Sequence, residues 1–120
     1  FEEDLSFLYG VIFVGQAHDP QHHSRNVCVF ADGEVDRCPT GTGVSARTAL
    51  HYARRELGQG ENITIESIIG SCFKAEIAEV KEFGPYRAVI PKVTGSAHIC
   101  GINTLLLDPD DPLGNGFILR

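Results

Sequence analysis

The residues best suited to chemistry lie in one turn that runs into helix-forming sequence. Residues 36–47 read Asp-Arg-Cys-Pro-Thr-Gly-Thr-Gly-Val-Ser-Ala-Arg. Pro39 fixes its own φ and disfavours helical geometry at Cys38, while Gly41 and Gly43 let the backbone approach a ligand closely. The amide groups that open a helix lack partners within it and lie at the positive end of its dipole. The pattern therefore predicts a pocket for a carboxylate or a phosphate.

Asp36 and Thr40 add two reactive side chains to this turn. A carboxylate is a suitable partner for a secondary ammonium group, although an aspartate in a turn more commonly caps that turn. The Gly-Thr-Gly sequence by itself indicates only a helix start, because it lacks the Gly-Lys-Ser/Thr ending of a nucleotide-binding loop. The residues alone leave a structural turn and a ligand site as alternatives.

The turn resembles the second active-site motif of the proline racemase family, Asp-Arg-Ser-Pro-Cys-Gly-Thr-Gly, whose cysteine is one of two opposed acid/base thiols. Thr40 stands at the position of that cysteine. The similarity continues through Gly-Ser-Cys-Phe at 70–73, Gly-Ser-Ala-His at 95–98 and Asp-Asp-Pro-Leu-Gly-Asn-Gly-Phe at 110–117. With threonine in the motif, the chain resembles the trans-3-hydroxy-L-proline dehydratase branch of the family.

The resemblance implies a cofactor-independent enzyme, a hydro-lyase that converts trans-3-hydroxy-L-proline to Δ1-pyrroline-2-carboxylate. In that reading Thr40 is catalytic and assists the loss of water from C3. Asp36 contacts the ring nitrogen, and the amides of Gly41 and Thr42 bind the substrate carboxylate. A cysteine from another domain removes the α-proton. Helix-terminal amides stabilise the charge that builds on the carboxylate, so neither a metal nor a cofactor is expected.

Two other functions remain as alternatives. A hydroxyproline 2-epimerase or a proline racemase needs a second proton donor, and a thiol with a pKa near 8.5 suits that role, whereas a threonine hydroxyl is far too weak an acid. Cys38 could supply the second thiol, but Pro39 separates it from position 40, which favours a packing role for Cys38. A non-catalytic anion-binding or assembly domain is the third reading.

Length and family resemblance together predict part of a larger enzyme. The 120 residues suffice for one domain. The sequence contains no methionine, so we expect residues 1–120 to come from a longer chain. The resemblance implies a C-terminal catalytic domain whose N-terminal domain, with a Cys-Gly-His motif, is absent here. The fragment alone is then expected to be inactive, its partners being that domain and a small-molecule substrate, hydroxyproline or proline. A homodimer is left open.

Bulk composition excludes several other classes of protein. Hydrophobic residues make up 42% and charged residues 22%, which is ordinary for a globular protein. A net charge of −6 with ten lysines and arginines argues against a nucleic-acid surface. No apolar run is long enough to span a membrane and no signal peptide is recognisable, so a cytoplasmic location is expected. The four cysteines form no C-x-x-C pair and the five histidines no ligand spacing, so free thiols and no metal site are expected.

Hydrophobic patterning predicts the elements that position the turn. Strands are expected over 7–14, which is apolar enough to be buried, and over 26–31, 63–69, 72–80, 86–93 and 97–107. A helix is expected over 44–57, with its core face formed by Ala46, Ala49, Leu50, Ala53 and Leu57 and with Arg47 and His51 on the surface. These elements predict an α+β fold, a mostly antiparallel sheet curled around a central helix, which the resemblance to one half of diaminopimelate-epimerase-like folds also implies. Exposed apolar surface is expected near the C-terminal end.

Overall fold

The computed structural model describes residue 3 and residues 6–119, and these form an α+β fold. The five strands are β1 (Gly10–Gly15), β2 (Ser24–Phe30), β3 (Asn62–Glu66), β4 (Cys72–Phe83) and β5 (Tyr86–Thr94). The helix α1 (Gly41–Ala53) lies between β2 and β3 in the sequence. The predicted fold class is confirmed.

The five strands form one sheet in the order in which they occur in the chain. All neighbouring pairs are antiparallel except β2 and β3, which run parallel over the pairs Ser24 with Ile65 and Arg25 with Glu66. A parallel pair needs a crossover connection, and α1 is that connection here. The predicted mostly antiparallel sheet is confirmed, and its central crossover carries the turn at residues 36–43.

A cluster of buried apolar side chains lies between α1 and the strands β3 to β5. Ile65, Val44 and Ala75 have no exposed surface. Each fully buried side chain of the size of valine or isoleucine contributes about 1.5–3 kcal/mol, so this cluster fixes α1 against the sheet. Its members are Val44, Leu57, Ile63, Ile65, Ala75 and Ile77.

Strand β1 is exposed, which contradicts the predicted burial of residues 7–14. Phe13 and Val14 expose 62% and 55% of their surface. β1 lies at the edge of the sheet and pairs with β2, so an edge strand with an apolar sequence lacks a second layer in the described part of the chain. The strand prediction is confirmed in type, and the burial prediction is wrong.

Helix α1 turns a different face to the core from the one that its apolar spacing predicts. Val44 and Thr48 are fully buried, and the helix ends at Ala53, before the buried Leu57. Arg47, predicted on the surface, is half-buried because its guanidinium donates hydrogen bonds to side chains of β2. The predicted core positions Ala46, Ala49, Leu50 and Ala53 are exposed.

The segment that follows β5 contains no strand, so the prediction of a strand over 97–107 is wrong. Residues 95–119 carry neither helix nor strand, and Ile99 and Ile102 expose 94% and 96% of their surface. A strand persists only where its backbone groups have partners, and in the described residues β5 pairs with β4 alone. The expected exposure of apolar surface near the C-terminal end is confirmed.

No helix within residues 3 and 6–119 has the length and apolar character needed to cross a membrane.

A buried carboxylate at the end of β3 holds the loop that connects β1 to β2. Glu66 is only 4% exposed and accepts hydrogen bonds from the amides of His18 and Asp19, at 2.8 and 2.9 Å, and from Nδ1 of His22 at 2.9 Å. The two amide bonds, assisted by the His22 ring, lower the pKa of the Glu66 carboxyl from 4.5 to about 2. Hydrogen bonds to the charged form produce this direction of shift.

We expect Glu66→Gln to flatten the acid dependence of stability. A carboxyl whose pKa falls on folding adds stability that is complete above its unfolded pKa and is lost as the pH falls through its folded pKa. The native protein should therefore lose this contribution between pH 4.5 and about 2, and the glutamine variant should not. Free energies of unfolding from urea titrations across that range test this. Glu79→Gln, an exposed position on β4, should follow the native curve; equal acid slopes in all three proteins would refute the role of Glu66.

Candidate active site

Asp36 is held against β2 by its backbone. A tight turn follows β2, with Gly33 at a φ of 88° and the Gly33 amide donating to the carbonyl of Phe30. The chain then runs back along the strand, and the Asp36 amide donates to the Cys28 carbonyl at 3.0 Å. This turn places Asp36 beside the strand that precedes the helix.

The Asp36 carboxylate organises the next four residues. Its Oδ1 accepts a hydrogen bond from the Cys38 amide at 3.1 Å, and its Oδ2 accepts one from the Thr40 hydroxyl at 2.9 Å. Partial burial acts to raise the pKa of Asp36, but the hydrogen bonds from Cys38, Thr40 and the Arg37 amide together outweigh burial and lower it. The carboxylate is therefore ionised at neutral pH while it caps its own turn.

Thr40 has a backbone conformation that β-branched residues rarely adopt. Its φ is 70° and its ψ 101°, in a region favoured by glycine. Such a conformation costs on the order of 1–3 kcal/mol and persists only where surrounding contacts fix it. Three contacts of Thr40 itself do so: its hydroxyl donates to Asp36, its amide donates to Cys38 Sγ, and its carbonyl accepts the Val44 amide at 2.8 Å.

The N-terminus of α1 is open to a ligand. Val44 supplies the first amide that bonds back to Thr40, so the amides of residues 41–43 have no partner within the helix. The Thr40 side chain makes no capping bond because its hydroxyl is committed to Asp36, and the first turn carries no acidic side chain. The first turn of the helix therefore has no carboxylate of its own to neutralise its positive end, which suits an anion.

These groups line one wall of a cleft of about 490 Å³. All four residues predicted for the site border it, and its opposite wall is mostly apolar. The polar wall comprises Asp36, Thr40, Gly41, Thr42 and Gly43, and the opposite wall comprises Tyr9, Gly10, Ile12, Cys28 and Phe30. A cleft of this size with one polar wall fits a small amino acid.

The apolar wall was absent from the sequence prediction. Gly10 pairs with Phe30 and Ile12 pairs with Cys28 across β1 and β2, so all four positions lie on one face of the sheet. The alternate positions 10 and 12 of β1, and 28 and 30 of β2, could have indicated that the residues of each pair lie on one face of their strand. Only the strand register could have placed that face opposite Thr40.

Cys38 supports the turn with its sulfur. Its Sγ accepts the Thr40 amide at 3.3 Å. Burial is the largest influence on this thiol, and together with the neighbouring Asp36 carboxylate it raises the pKa of Cys38. A thiol that stays protonated at neutral pH is a poor base, so the geometry favours the structural role over an acid/base role.

The remaining cysteines and histidines form no further site within the described ranges. Cys28, Cys72 and Cys100 are free thiols, as is Cys38. No group of three or more histidine, cysteine, aspartate or glutamate side chains in residues 3 and 6–119 is arranged to hold a metal ion.

Helix α1 approaches β1 closely at Gly43. A Cβ atom built on Gly43 would lie 2.0 Å from Cδ1 of Ile12, a separation that real atoms do not reach. The glycine therefore allows the helix start and the apolar wall to form the two sides of one narrow cleft.

The sequence is similar to one family of known proteins over nearly its whole length. The sequence profile of the family described as proline racemase matches residues 1–118. The chain is 52% identical, over 98% of its length, to a trans-3-hydroxy-L-proline dehydratase of Colwellia psychrerythraea, of which it covers 33%. It is 48% identical, over 84% of its length, to a proline racemase of Clostridioides difficile, of which it covers 30%. The chain thus spans about a third of the length of these relatives.

The fold also matches a solved structure. A hydroxyproline epimerase from Agrobacterium vitis, crystallised with bound trans-4-hydroxy-L-proline, superposes with a TM-score of 0.72 at 38% identity. The match covers 93% of the present chain and 32% of the epimerase chain. The chain thus also spans about a third of the length of this solved structure.

We expect Gly43→Ala to stabilise the helix less than such a change normally does, and Ile12→Val to restore the difference. Alanine normally stabilises a helix relative to glycine by roughly 0.5–1 kcal/mol, but here its Cβ forces the flexible end of the Ile12 side chain to move, which removes part of that gain. Ile12→Val removes the Cδ1 atom, so the two substitutions should couple by about 0.5 kcal/mol in a double-mutant cycle of unfolding free energies. Gly41→Ala, whose Cβ meets no atom within 4 Å, is the control and should show no coupling with Ile12→Val. Additive effects of Gly43→Ala and Ile12→Val would contradict the close approach.

Proposed function

This chain belongs to the proline racemase family, and we propose on that basis that it supplies one half of the active site of a cofactor-independent trans-3-hydroxy-L-proline dehydratase. The observation that carries the proposal is the Thr40 hydroxyl, which lines the cleft and donates to the Asp36 carboxylate at 2.9 Å. A racemase with two thiols would need an acid at that position that can exchange its proton near neutral pH. A hydroxyl does not meet that need.

The substrate can be oriented by three groups of the polar wall. Its carboxylate would accept hydrogen bonds from the amides of Gly41 and Thr42, which open α1. Its ring ammonium would pair with the ionised Asp36. The ring methylenes would then face the apolar wall formed by residues such as Ile12 and Phe30. In this orientation the carboxylate and the ring ammonium of the substrate each have a partner, and its third polar group, the 3-hydroxyl, faces Thr40.

The proposed reaction removes a proton from Cα and a hydroxyl group from C3. A cysteine thiolate of a second domain takes the Cα proton, and the electron pair forms the C2–C3 double bond as the C3–O bond breaks. The departing hydroxide takes up the proton that the ring ammonium releases and leaves as water, and the ring nitrogen becomes that of a neutral enamine. Because a hydroxyl rotates about its C–O bond, the Thr40 hydroxyl can turn from Asp36 and donate a hydrogen bond to that oxygen as it leaves. The resulting enamine tautomerises to Δ1-pyrroline-2-carboxylate.

The second domain is part of the proposal. The described cleft offers helix amides for an anion, a carboxylate and a hydroxyl, but Cys28, the cysteine among its lining residues, is buried. The nearby Cys38 sulfur accepts a hydrogen bond within the turn. We therefore infer that residues 1–120 act as the C-terminal catalytic domain of a two-domain enzyme and that the α-proton base lies in the other domain. Relatives three times as long as this chain are consistent with that arrangement.

Epimerisation or racemisation is the second candidate, favoured by the similarity to relatives with those names. It shares the carboxylate seat and the α-proton base with the dehydratase reaction. It differs in requiring a proton donor on the opposite face of Cα, which Thr40 does not provide. The fate of the C3 hydroxyl therefore separates the two reactions.

We expect the two-domain enzyme to dehydrate trans-3-hydroxy-L-proline. Thr40→Ala should lower that activity about 100-fold or more, the range typical of losing one hydrogen-bond donor to an oxygen on which charge develops. Deuterium entry at Cα should persist in the variant, because the base lies elsewhere. Proton NMR time courses in D2O report both events in one spectrum, with L-proline and 4-hydroxyproline as comparison substrates. Thr42→Val, which alters the same cleft without a bond to Asp36, is the control for Thr40. Cα exchange without elimination in the native enzyme, or full dehydration by Thr40→Cys, would overturn the proposal.

Asp36 should titrate below its ordinary value of 3.8, and loss of the Thr40 hydroxyl should raise that midpoint. Thr40→Val removes one of the hydrogen bonds that favour the charged carboxylate. The stability that Asp36 contributes is complete above pH 3.8 and is lost as the pH falls through the lowered pKa; in the variant this loss begins at higher pH. Titration of the Asp36 carboxyl carbon by NMR measures the shift directly, with Thr42→Val as control. An unchanged midpoint in Thr40→Val would show that the hydroxyl does not act on Asp36.

A further inference from the structure

Asn26 is a buried polar residue that no part of the proposed reaction uses. It lies on β2 and is only 1% exposed. Its Nδ2 group donates to the Pro39 carbonyl at 3.1 Å, and its Oδ1 accepts from Nη1 of Arg47 at 2.6 Å. The side chain thus connects the middle of the strand both to the turn before Thr40 and to helix α1.

The partners of Asn26 determine the identity of this residue. The Arg47 guanidinium only donates hydrogen bonds and the Pro39 carbonyl only accepts them. A side chain between them must accept on one side and donate on the other. An amide does both with one rigid planar group, whereas a carboxylate would face the Pro39 carbonyl with a second acceptor. The same constraint fixes which end of the amide faces Arg47.

Arg47 is itself held in place from three directions. Its Nη1 also donates to Ser24 Oγ at 2.9 Å, and its Nη2 donates to Nε2 of His51 at 3.3 Å. Since arginine cannot accept, His51 must carry its proton on Nδ1, which donates to Glu56 at 2.6 Å. Arg47 therefore donates to all three of its partners, and its guanidinium offers Asn26 a donor in a fixed position.

The Pro39–Thr40 peptide group is clamped on both of its sides. Asn26 bonds to the carbonyl of this group, and Cys38 Sγ accepts its amide proton at 3.3 Å. The positive φ of Thr40 is a rotation about its N–Cα bond, and that nitrogen belongs to this peptide group. Fixing the plane fixes where the Thr40 side chain points. Asp36 is fixed separately, because its amide bonds to the Cys28 carbonyl.

We propose that Asn26, oriented by Arg47, is a positioning residue that sets the Pro39–Thr40 peptide plane and thereby aims the Thr40 hydroxyl into the cleft. The inference rests on the proposed function for the role of Thr40 and adds a residue that contacts neither substrate nor reacting atoms. In this proposal Asn26 controls the direction of the Thr40 hydroxyl, whereas Asp36 and the helix amides control where the substrate binds.

The decisive variant is Asn26→Asp. Its carboxylate keeps a partner in Arg47, so the fold is retained, but it cannot donate to the Pro39 carbonyl. In the present chain, the residual dipolar coupling of the Thr40 N–H bond, which reports the orientation of that peptide plane, should change. In the two-domain enzyme, kcat for trans-3-hydroxy-L-proline dehydration should fall about 10- to 100-fold, the cost of a small misplacement of a reacting group, with KM changed by less than about 3-fold.

Ser24→Ala is the matched control. Ser24 lies on the same strand, is 5% exposed and bonds to the same Arg47 nitrogen, but it has no bond to the turn. The substitution leaves Arg47 bonded to Asn26 and His51, so the Thr40 coupling and kcat should change far less than in Asn26→Asp. If Asn26→Asp does not fold, Arg47→Lys takes its place, because lysine keeps the charge without the planar fork that orients Asn26; a smaller change in the same two measurements is expected.

The two measurements distinguish the two proposals. An unchanged Thr40 coupling, or an unchanged kcat despite a changed coupling, would overturn the role of Asn26. If the native enzyme exchanges Cα protons without dehydration, the proposed function fails. The coupling then still decides whether Asn26 sets the peptide plane, since it requires no reaction.

Discussion

The conformation of Thr40 is the constraint on which the site depends. A β-branched residue at a φ of 70° is unfavourable by on the order of 1–3 kcal/mol, and the surrounding structure offsets this cost with bonds to every polar group of the residue. The amide bonds to Cys38, the hydroxyl to Asp36 and the carbonyl to Val44. Because the same residue begins α1, any relaxation at Thr40 would move both the hydroxyl and the first amides of the helix.

The turn also gives two neighbouring side chains opposite protonation preferences. Asp36 accepts hydrogen bonds from amides and hydroxyls, which favour its charged form, and its pKa falls. Cys38 is partly buried next to that negative charge, and its pKa rises. One carboxylate therefore stays ionised while a thiol two residues away stays neutral. Opposite shifts within one short segment are a common way in which a site assigns acid and base roles, and here the ionised group that lines the cleft is Asp36.

Local sequence patterns predicted most of the elements, and contacts between distant residues decided what the patterns missed. The α+β class, strands β1 to β5 and the helix start at the Gly-Thr-Gly segment followed from turn residues and periodicity. The apolar stripe of α1 did not indicate its buried face, because Arg47 finds partners on β2 that no local pattern reveals. The strand expected over 97–107 is absent because a strand needs a neighbour. Asp36 and Thr40 were recognisable from their motif, whereas Asn26 required its contacts with Pro39 and Arg47, 13 and 21 positions away in the chain.

The short parallel contact between β2 and β3 has a consequence for how this domain folds. β1 with β2 and β3 with β4 and β5 are built from pairings close in sequence, but the two groups meet over only two residue pairs. The contact from Arg25 to Ser67 closes a separation of 42 positions. Local pairings form before those that must first close a long loop. We therefore expect the β1–β2 hairpin and the β3–β5 meander to form as separate units, and the cleft, whose walls come from the hairpin and from the connecting helix, to take shape when these units dock.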